Sequence, residues 1–553
     1  MGDLLKDMEY CIKYSTDYYR FEFINWLSNI CPIVDGGRGM VITGDCIKED
    51  EIIKEHTQRL QLINKSFASN EEIEKMFLLL LKSLLDEFIG KYVHKQEGKE
   101  VILLTLYAFK ESNSLFSSVL LSNIYGESMK FNHSLLQLVS DTLSNYKKDN
   151  NKLDVFKEIE GLLAKDKYGI EVLIESIIDY TPSEGTIDFN NFHSNIAKYV
   201  RDIGNLITLK DFVISNLLSS TTIFCNPDGN LIVEMEHDDV QKVQEINTQN
   251  IEWLEKKEND KFIVNEKYHK RLNHVIKVRL GLNEEEITEL FNMIGKEKST
   301  WQLWKMEGLE KYFLKFNEYN LDDIRKFIDV LTRYPETFNI NRFLDSKRNS
   351  RISRKCIIPI LDDFCIFSDN VLMEVLSYLM IDVYDRTFYE GELKKRVEKI
   401  LGDIDISFEI EVLTKLLTFD DVKVKHSLHK IKNTEICSPN EIDLLLIHNH
   451  DIFVIECKNF IFKSDLKAIN NELMKMKKSI SYKLKTKIDF VNKNLELILN
   501  NEFDIHDNIA EYKIHGIIIT NKFSISSAYK DLSYDSINYT QVLNYFGKKL
   551  NKE

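Results

Sequence analysis

The chain has 553 residues, with 73 Lys and Arg against 88 Asp and Glu, for a formal net charge of −15. That length is too great for one hydrophobic core, so several domains are expected. The acidic balance excludes a surface that binds nucleic acid all over, though not a local basic groove. An apolar share of 43% and a charged share of 29% are those of an ordinary globular protein. Six prolines and twenty glycines favour long helices over loop-rich β structure. No apolar run reaches the roughly 18–20 residues of a membrane span. Met1–Asp7 lacks the apolar core of a signal peptide, and the eight cysteines contain no C-x-x-C pair. They are expected as buried thiols in a reducing, cytoplasmic setting, without a zinc site or a disulfide frame.

Residues 1–165 form the first expected domain, a helical one. Glu71–Leu85 carries apolar residues at helical period with acids in its first turn. The glycine-bearing segment Asp35–Asp45 lacks the Gly-Lys-Ser/Thr ending of a P-loop and is expected as a turn entering a short strand. Residues 166–400 form a second, mostly helical domain. Its β-hairpin near residues 221–235 sets two apolar runs around Asn226-Pro-Asp-Gly-Asn230. Thr181–Gly185 and Tyr334-Pro-Glu are expected turns, and Trp301 and Trp304 are expected on two faces of a helix as packing residues. The basic run Lys347–Lys355 is either a solvated loop or a nucleic-acid contact.

Residues 401–553 change to an α/β order. Gly402-Asp403 is expected to close one helix, and the next, from about Ile406, carries Glu409 and Glu411. Glu409 shares a face with Val412, Leu413 and Leu416, whereas Glu411 lies about 200° round. Strands follow at Val422–Leu428, Ile442–His448 and Ile452–Lys458, with Asn449-His450-Asp451 as the turn. A long helix from about Ser464 has apolar residues at 466, 469, 473, 476, 480, 484, 488, 491, 495 and 498, and Gly516–Asn521 is a fourth, buried strand. Within this domain Asp443, Glu456 and Lys458 project from strands that are otherwise apolar on both faces. Burying them costs several kcal/mol unless a metal or an ionic partner compensates.

The order of a helical acid, Asp443, Glu456-Cys457-Lys458, a helix and the Gly516 strand resembles the PD-(D/E)XK nuclease superfamily. The resemblance spans about residues 400–530. It implies a C-terminal restriction-endonuclease-like α/β domain with a mixed central sheet, which with the helical reading of the first 400 residues gives a multidomain, mainly α chain with a large helical N-terminal region. It implies Mg²⁺, replaceable by Mn²⁺, on Asp443, Glu456 and the Cys457 backbone carbonyl. Lys458 would orient or deprotonate the attacking water, and Glu409 would be the helical acid. The superfamily's proline is absent, since Pro439 lies four residues before Asp443, and no glutamine opens the next helix. Glu441, two before Asp443 on the same strand face, is expected either at the metal's edge or as an acid that only flanks the site.

Eight lysines against two acids lie between Lys463 and Lys487. Lys463, Lys467, Lys475, Lys477, Lys478, Lys483, Lys485 and Lys487 are expected to contact phosphates without reading sequence. His426, His429, His448 and His450 lack the setting of a metal site and are expected in loop roles. The resulting expectation is a Mg²⁺-dependent DNA endonuclease acting on double-stranded DNA, in the manner of a bacterial anti-phage or restriction-type effector. A second copy of the chain or a defence subunit is the expected protein partner, and no membrane is involved. An RNA-directed nuclease and a catalytically silent nucleic-acid-binding or scaffold protein on the same fold stay open as alternatives.

Overall fold

The computed structural model describes residues 13–19, 51–93, 96–125, 152–180, 192–215, 222–234, 266–294, 302–316, 319–345, 348, 350–361, 363–460, 472–506, 508–521 and 532–550. The segment Asp35–Asp45 and the turn Thr181–Gly185 lie outside them. Among the described residues no helix is long and apolar enough to cross a membrane. The chain divides into two compact units, one built from residues 1–214, 221–234 and 276–383, the other from 215–220, 235–275 and 384–553.

The first unit is mostly helical. The helix Asn70–Tyr92 opens on a capping box in which the Ser69 side chain accepts from Glu72 N–H and Glu72 reaches back to Ser69. The expected hairpin is present as Thr222–Cys225 and Leu231–Glu234, joined through a turn where Gly229 sits at φ +85. Trp304 lies on a strand, Gln302–Lys305, rather than a helix, because Phe364–Phe367 pairs with it antiparallel. Its ring packs against Tyr312 at 5.1 Å.

The three arginines of the basic run, Arg348, Arg351 and Arg354, face acids rather than solvent or a ligand, whereas residues 347 and 349 lie outside the described residues. Glu171, Glu175 and Asp179 recur every four residues at the end of the helix Lys152–Ile178, so they stack along one face. Arg351 meets Glu171 at 2.8 Å, Arg348 meets Glu175 at 2.7 Å, and Arg333 and Arg342 share Asp179. Arg354 pairs with Asp382. Charge density in the sequence cannot distinguish a solvated run from one facing a buried acidic ladder.

That ladder continues into Lys110, which bridges Glu171 at 3.0 Å and Glu374 at 2.8 Å, with Lys167 also on Glu374. Burial works against ionised Glu374, but Lys110 and Lys167 outweigh it and hold its carboxyl well below the ordinary range. A carboxylate with a depressed pKa contributes its stabilisation above its unfolded pKa and loses it as the pH falls through the folded one. Glu374→Gln should therefore cost about 3–5 kcal/mol at neutral pH by leaving buried lysines under-compensated. Urea unfolding should show the gap between wild type and variant closing only as the pH drops below the usual carboxylate range. A constant gap down to acid pH would contradict the ionic assignment.

The second unit carries the α/β order. Helix α1 (Gly391–Leu416) runs unbroken through Gly402-Asp403, where two helices were expected. Its buried stripe Val397, Ile400, Leu401, Ile404, Phe408, Val412 and Leu416 continues across the glycine, and Asp403 is tied to Arg271 at 2.5 Å. A helix-interior glycine costs only about 1 kcal/mol, which this continuous packing outweighs. Strands β1 (Val422–Lys430), β2 (Cys437–His448) and β3 (Asp451–Lys458) follow as an antiparallel meander. Asn449, at φ 50, makes the two-residue turn into β3.

After β3, a π-helical turn at Lys475–Ile480 leads into α2 (Ser481–Lys493) and α3 (Leu495–Phe503). The expected single long helix is thus divided, although Leu473, Met476, Ile480, Leu484, Val491, Leu495 and Ile498 of its apolar stripe are all buried. Strand β4 (Lys513–Thr520) and an unforeseen β5 (Asp535–Asn538) precede α4 (Val542–Leu550). The sheet order is β5-β4-β3-β2-β1, parallel on the β5-β4-β3 side and antiparallel on the other. The pleat divides the side chains between two layers. Leu444, Leu446, Phe453, Ile455, Cys457, Ile517 and Ile519 pack with α1 and α4, whereas Leu445, Ile447, Ile452, Val454 and Ile518 pack with α2 and α3.

Candidate active site

By the same alternation, Asp443 and Glu456 fall on the α2 side of the sheet, two residues from Leu445 and Val454 respectively. The register pairs Leu444 with Ile455, which brings the two acids onto neighbouring strands, and Lys458 ends β3. Asn521 fixes the chain just beyond. Its N–H donates to the Lys458 carbonyl at 3.1 Å, its Oδ1 accepts from Phe460 N–H, and its Nδ2 donates to the Phe460 carbonyl.

Asp443 is 8% exposed and Glu456 2%. Two lysines divide their four oxygens. Lys487, only 3% exposed, donates to Asp443 Oδ1 at 2.8 Å and to Glu456 Oε2. Lys458 Nζ lies 2.6 Å from Glu456 Oε1, 3.8 Å from Asp443 Oδ2 and 2.9 Å from the Cys457 carbonyl oxygen, to which it donates. The Cys457 N–H donates to Asp443 Oδ2 at 2.8 Å, locking that carboxylate to β3. Burial opposes the charge on Lys458, but Glu456 and Asp443 outweigh it and hold its pKa above the ordinary lysine value.

Glu409 faces this end of the sheet from α1 and shares a hydrogen bond of 3.0 Å with His426 Nε2. Burial first, and the Asp443 carboxylate second, raise Glu409 above the usual carboxylate range against the pull of His426. Glu411 is exposed and receives the Tyr539 hydroxyl at 3.4 Å. The Cys457 side chain packs in the layer against α1 and α4, and burial, then Asp443 and Glu409, push its thiol well above its usual value. Glu441 is exposed and accepts from Ser427. His429 is exposed on β1, and His450 pairs with Glu511 at 3.3 Å at the far end of β3 from Lys458.

The lysine set is split. Lys463 and Lys467 lie outside the described residues. Lys475, Lys478, Lys483 and Lys485 are exposed and Lys477 is half-buried. Lys487, expected on the solvated face with them, is buried between the two acids. Its position gives the reason: it lies three residues after Leu484 and four before Val491, on the apolar stripe itself. A lysine on a core stripe was the available signal. Asp405 was also missed. One turn before Glu409, it receives Asn459 Nδ2 at 3.1 Å, and burial raises its pKa against the pull of Asn459, Arg386 and Lys458.

Asp443 Oδ2, Glu456 Oε1 and the Cys457 carbonyl all converge on one cationic atom, Lys458 Nζ. That all-oxygen donor set suits a hard divalent ion. Among the described residues no three or more His, Cys, Asp or Glu side chains are arranged to hold a metal. A metal here would rest on two carboxylates and a carbonyl, completed by water and phosphate oxygens, which is the usual habit of Mg²⁺.

A mixed five-stranded sheet between helical layers, with Asp443 and Glu456-x-Lys458 at its centre, defines a PD-(D/E)XK-like nuclease domain. Residues 406–521 match the nuclease-related domain family (NERD). The match covers about a fifth of the chain and contains all four residues of the acid–lysine cluster. No curated protein and no solved structure matches the chain.

Proposed function

We propose that the protein is a Mg²⁺-dependent nuclease that hydrolyses phosphodiester bonds, with double-stranded DNA as substrate. The observation that carries this reading is the convergence of Asp443, Glu456 and the Cys457 carbonyl on a single cation position beside a rim lysine. Asp443 and Glu456 would hold the ion, which supplies Lewis acidity and a water of lowered pKa. Lys458 would orient the attacking water and meet the negative charge that builds on the phosphate oxygens as the water oxygen bonds to phosphorus, the ester oxygen leaves and the water's proton passes to solvent or to that leaving oxygen. Glu409 and His426 hold the helix side of the site. The pairing of this domain with a large helical region is consistent with a restriction-type or anti-phage effector, in which the helical unit recognises the target or regulates cutting.

The test is incubation of the purified chain with plasmid, linear duplex, single-stranded DNA and RNA in Mg²⁺, Mn²⁺ or EDTA. Cleavage of duplex DNA that EDTA stops is the expected result; cleavage of RNA alone would redirect the reading, and cleavage in EDTA would overturn it.

Substrate binding is expected on the exposed face that carries Lys478, Tyr482 and Lys485, spaced four and three residues apart. Tyr482 is 67% exposed, an arrangement that suits a ring against sugar or base between phosphate contacts. Lys478→Ala with Lys485→Ala should weaken binding to all sequences alike and flatten the plot of log affinity against log salt by about 1.8. An unchanged slope would remove this face from the interface.

A further inference from the structure

We infer that Lys487 is a built-in cation of this site, which takes the place a second metal ion would otherwise fill and leaves the site to work with one. The partition of oxygens carries the inference. Lys487 holds the inner pair, Asp443 Oδ1 and Glu456 Oε2, while the outer pair, Asp443 Oδ2 and Glu456 Oε1, faces Lys458 and the Cys457 carbonyl. Lys458 sits at the rim with 27% of its side chain exposed and has room to withdraw. Lys487 does not: its side chain is 3% exposed, and its helix is anchored on either side by the buried Leu484 and Val491.

Two carboxylates this close repel each other, and a cation shared between them relieves the repulsion. With Lys487 fixed on the inner oxygens, both carboxylates are oriented before any divalent ion arrives. The outer oxygens then face a position for one ion. The inner position, which could bridge the same two carboxylates to a second ion, is filled by the ammonium. Lys487 is thus a positioning residue: it acts through Asp443 and Glu456 and touches no substrate. It also tunes affinity, since Asp443, Glu456, Lys458 and Lys487 together carry no net charge, and removing Lys487 makes the cluster anionic.

The inference rests on the reading of Asp443 and Glu456 as metal ligands, and its test is an ion count that needs no cleavage. Full-length protein stripped of metal is titrated with Mn²⁺ by calorimetry and by electron paramagnetic resonance, with the ions retained by Asp443→Ala subtracted. Wild type should bind one Mn²⁺ in this site. Lys487→Gln, which keeps a hydrogen-bond donor and loses the charge, should bind two, the first about tenfold tighter. Lys487→Arg restores the charge and should return the count to one.

Two ions or none in wild type, or an unchanged count and affinity in Lys487→Gln, would overturn the inference. If Lys487→Gln folds only with Mn²⁺ present, the rise of its melting temperature with Mn²⁺ should exceed that of wild type; an equal rise would overturn the inference too. Failure of the nuclease reading is separately visible, as absence of cleavage in the wild type whatever the ion count.

Discussion

Lys458→Ala should abolish cleavage, by about a thousandfold or more, equivalent to about 4 kcal/mol of barrier, while the domain stays folded and its affinity for a divalent ion is not reduced. The asymmetry follows from where the two lysines sit. Lys458 is at the rim, and its removal leaves Glu456 and Asp443 still paired through Lys487 and the Cys457 N–H. Each acid keeps an ionic partner in Lys487, and the cluster, now one charge more negative, loses the ammonium that competes with the ion for its outer oxygens. What is lost is the one cationic group of the cluster with access to solvent, the group able to face an attacking water and the phosphate. Single-turnover cleavage at saturating Mg²⁺, with Mn²⁺ titration on the same preparations, separates the two effects. Loss of ion binding together with cleavage would mean that Lys458 holds the site together rather than acting on substrate.

The same contrast explains what was legible in the sequence. Asp443, Glu456 and Lys458 stood out because charges in apolar strands violate the pattern around them, and strand alternation is short-range enough to read directly. The structure sets these three together at hydrogen-bond and ion-pair distances. Lys487 violates its own helical stripe just as clearly, but seven other lysines nearby made it look like one more solvated charge. Its partners lie 31 and 44 residues away, and only the packing of α2 on the sheet brings them together. The run Lys347–Lys355 failed for the same reason: Glu171 and Glu175, more than 170 residues earlier, decide whether its arginines are solvated or buried. Gly402 failed in the opposite direction, because a local helix-breaking preference is smaller than the burial gained along α1. Strand β5 has only four residues, too few for periodicity to announce, and exists because β4 offers it a parallel edge.

Asp443→Ala should remove cleavage as completely as Lys458→Ala does, but through a different loss, and with a larger cost in stability. Asp443 accepts from the Cys457 N–H and from Lys487, both buried. Its removal leaves two ammonium groups against Glu456 alone and a backbone N–H without its acceptor. Breaking a buried ionic arrangement from one side costs about 3–5 kcal/mol, so the metal-free variant should unfold at a clearly lower urea concentration. The cluster turns net positive, and Mn²⁺ binding should vanish with it. Asp443→Asn separates the contributions, since its amide oxygen can still accept from Cys457. It should recover part of the stability and none of the ion binding or cleavage. If Asp443→Ala were as stable as wild type without metal, Asp443 would not be held by Lys487 in the free protein, and the division of its two oxygens between lysine and ion would fail with it.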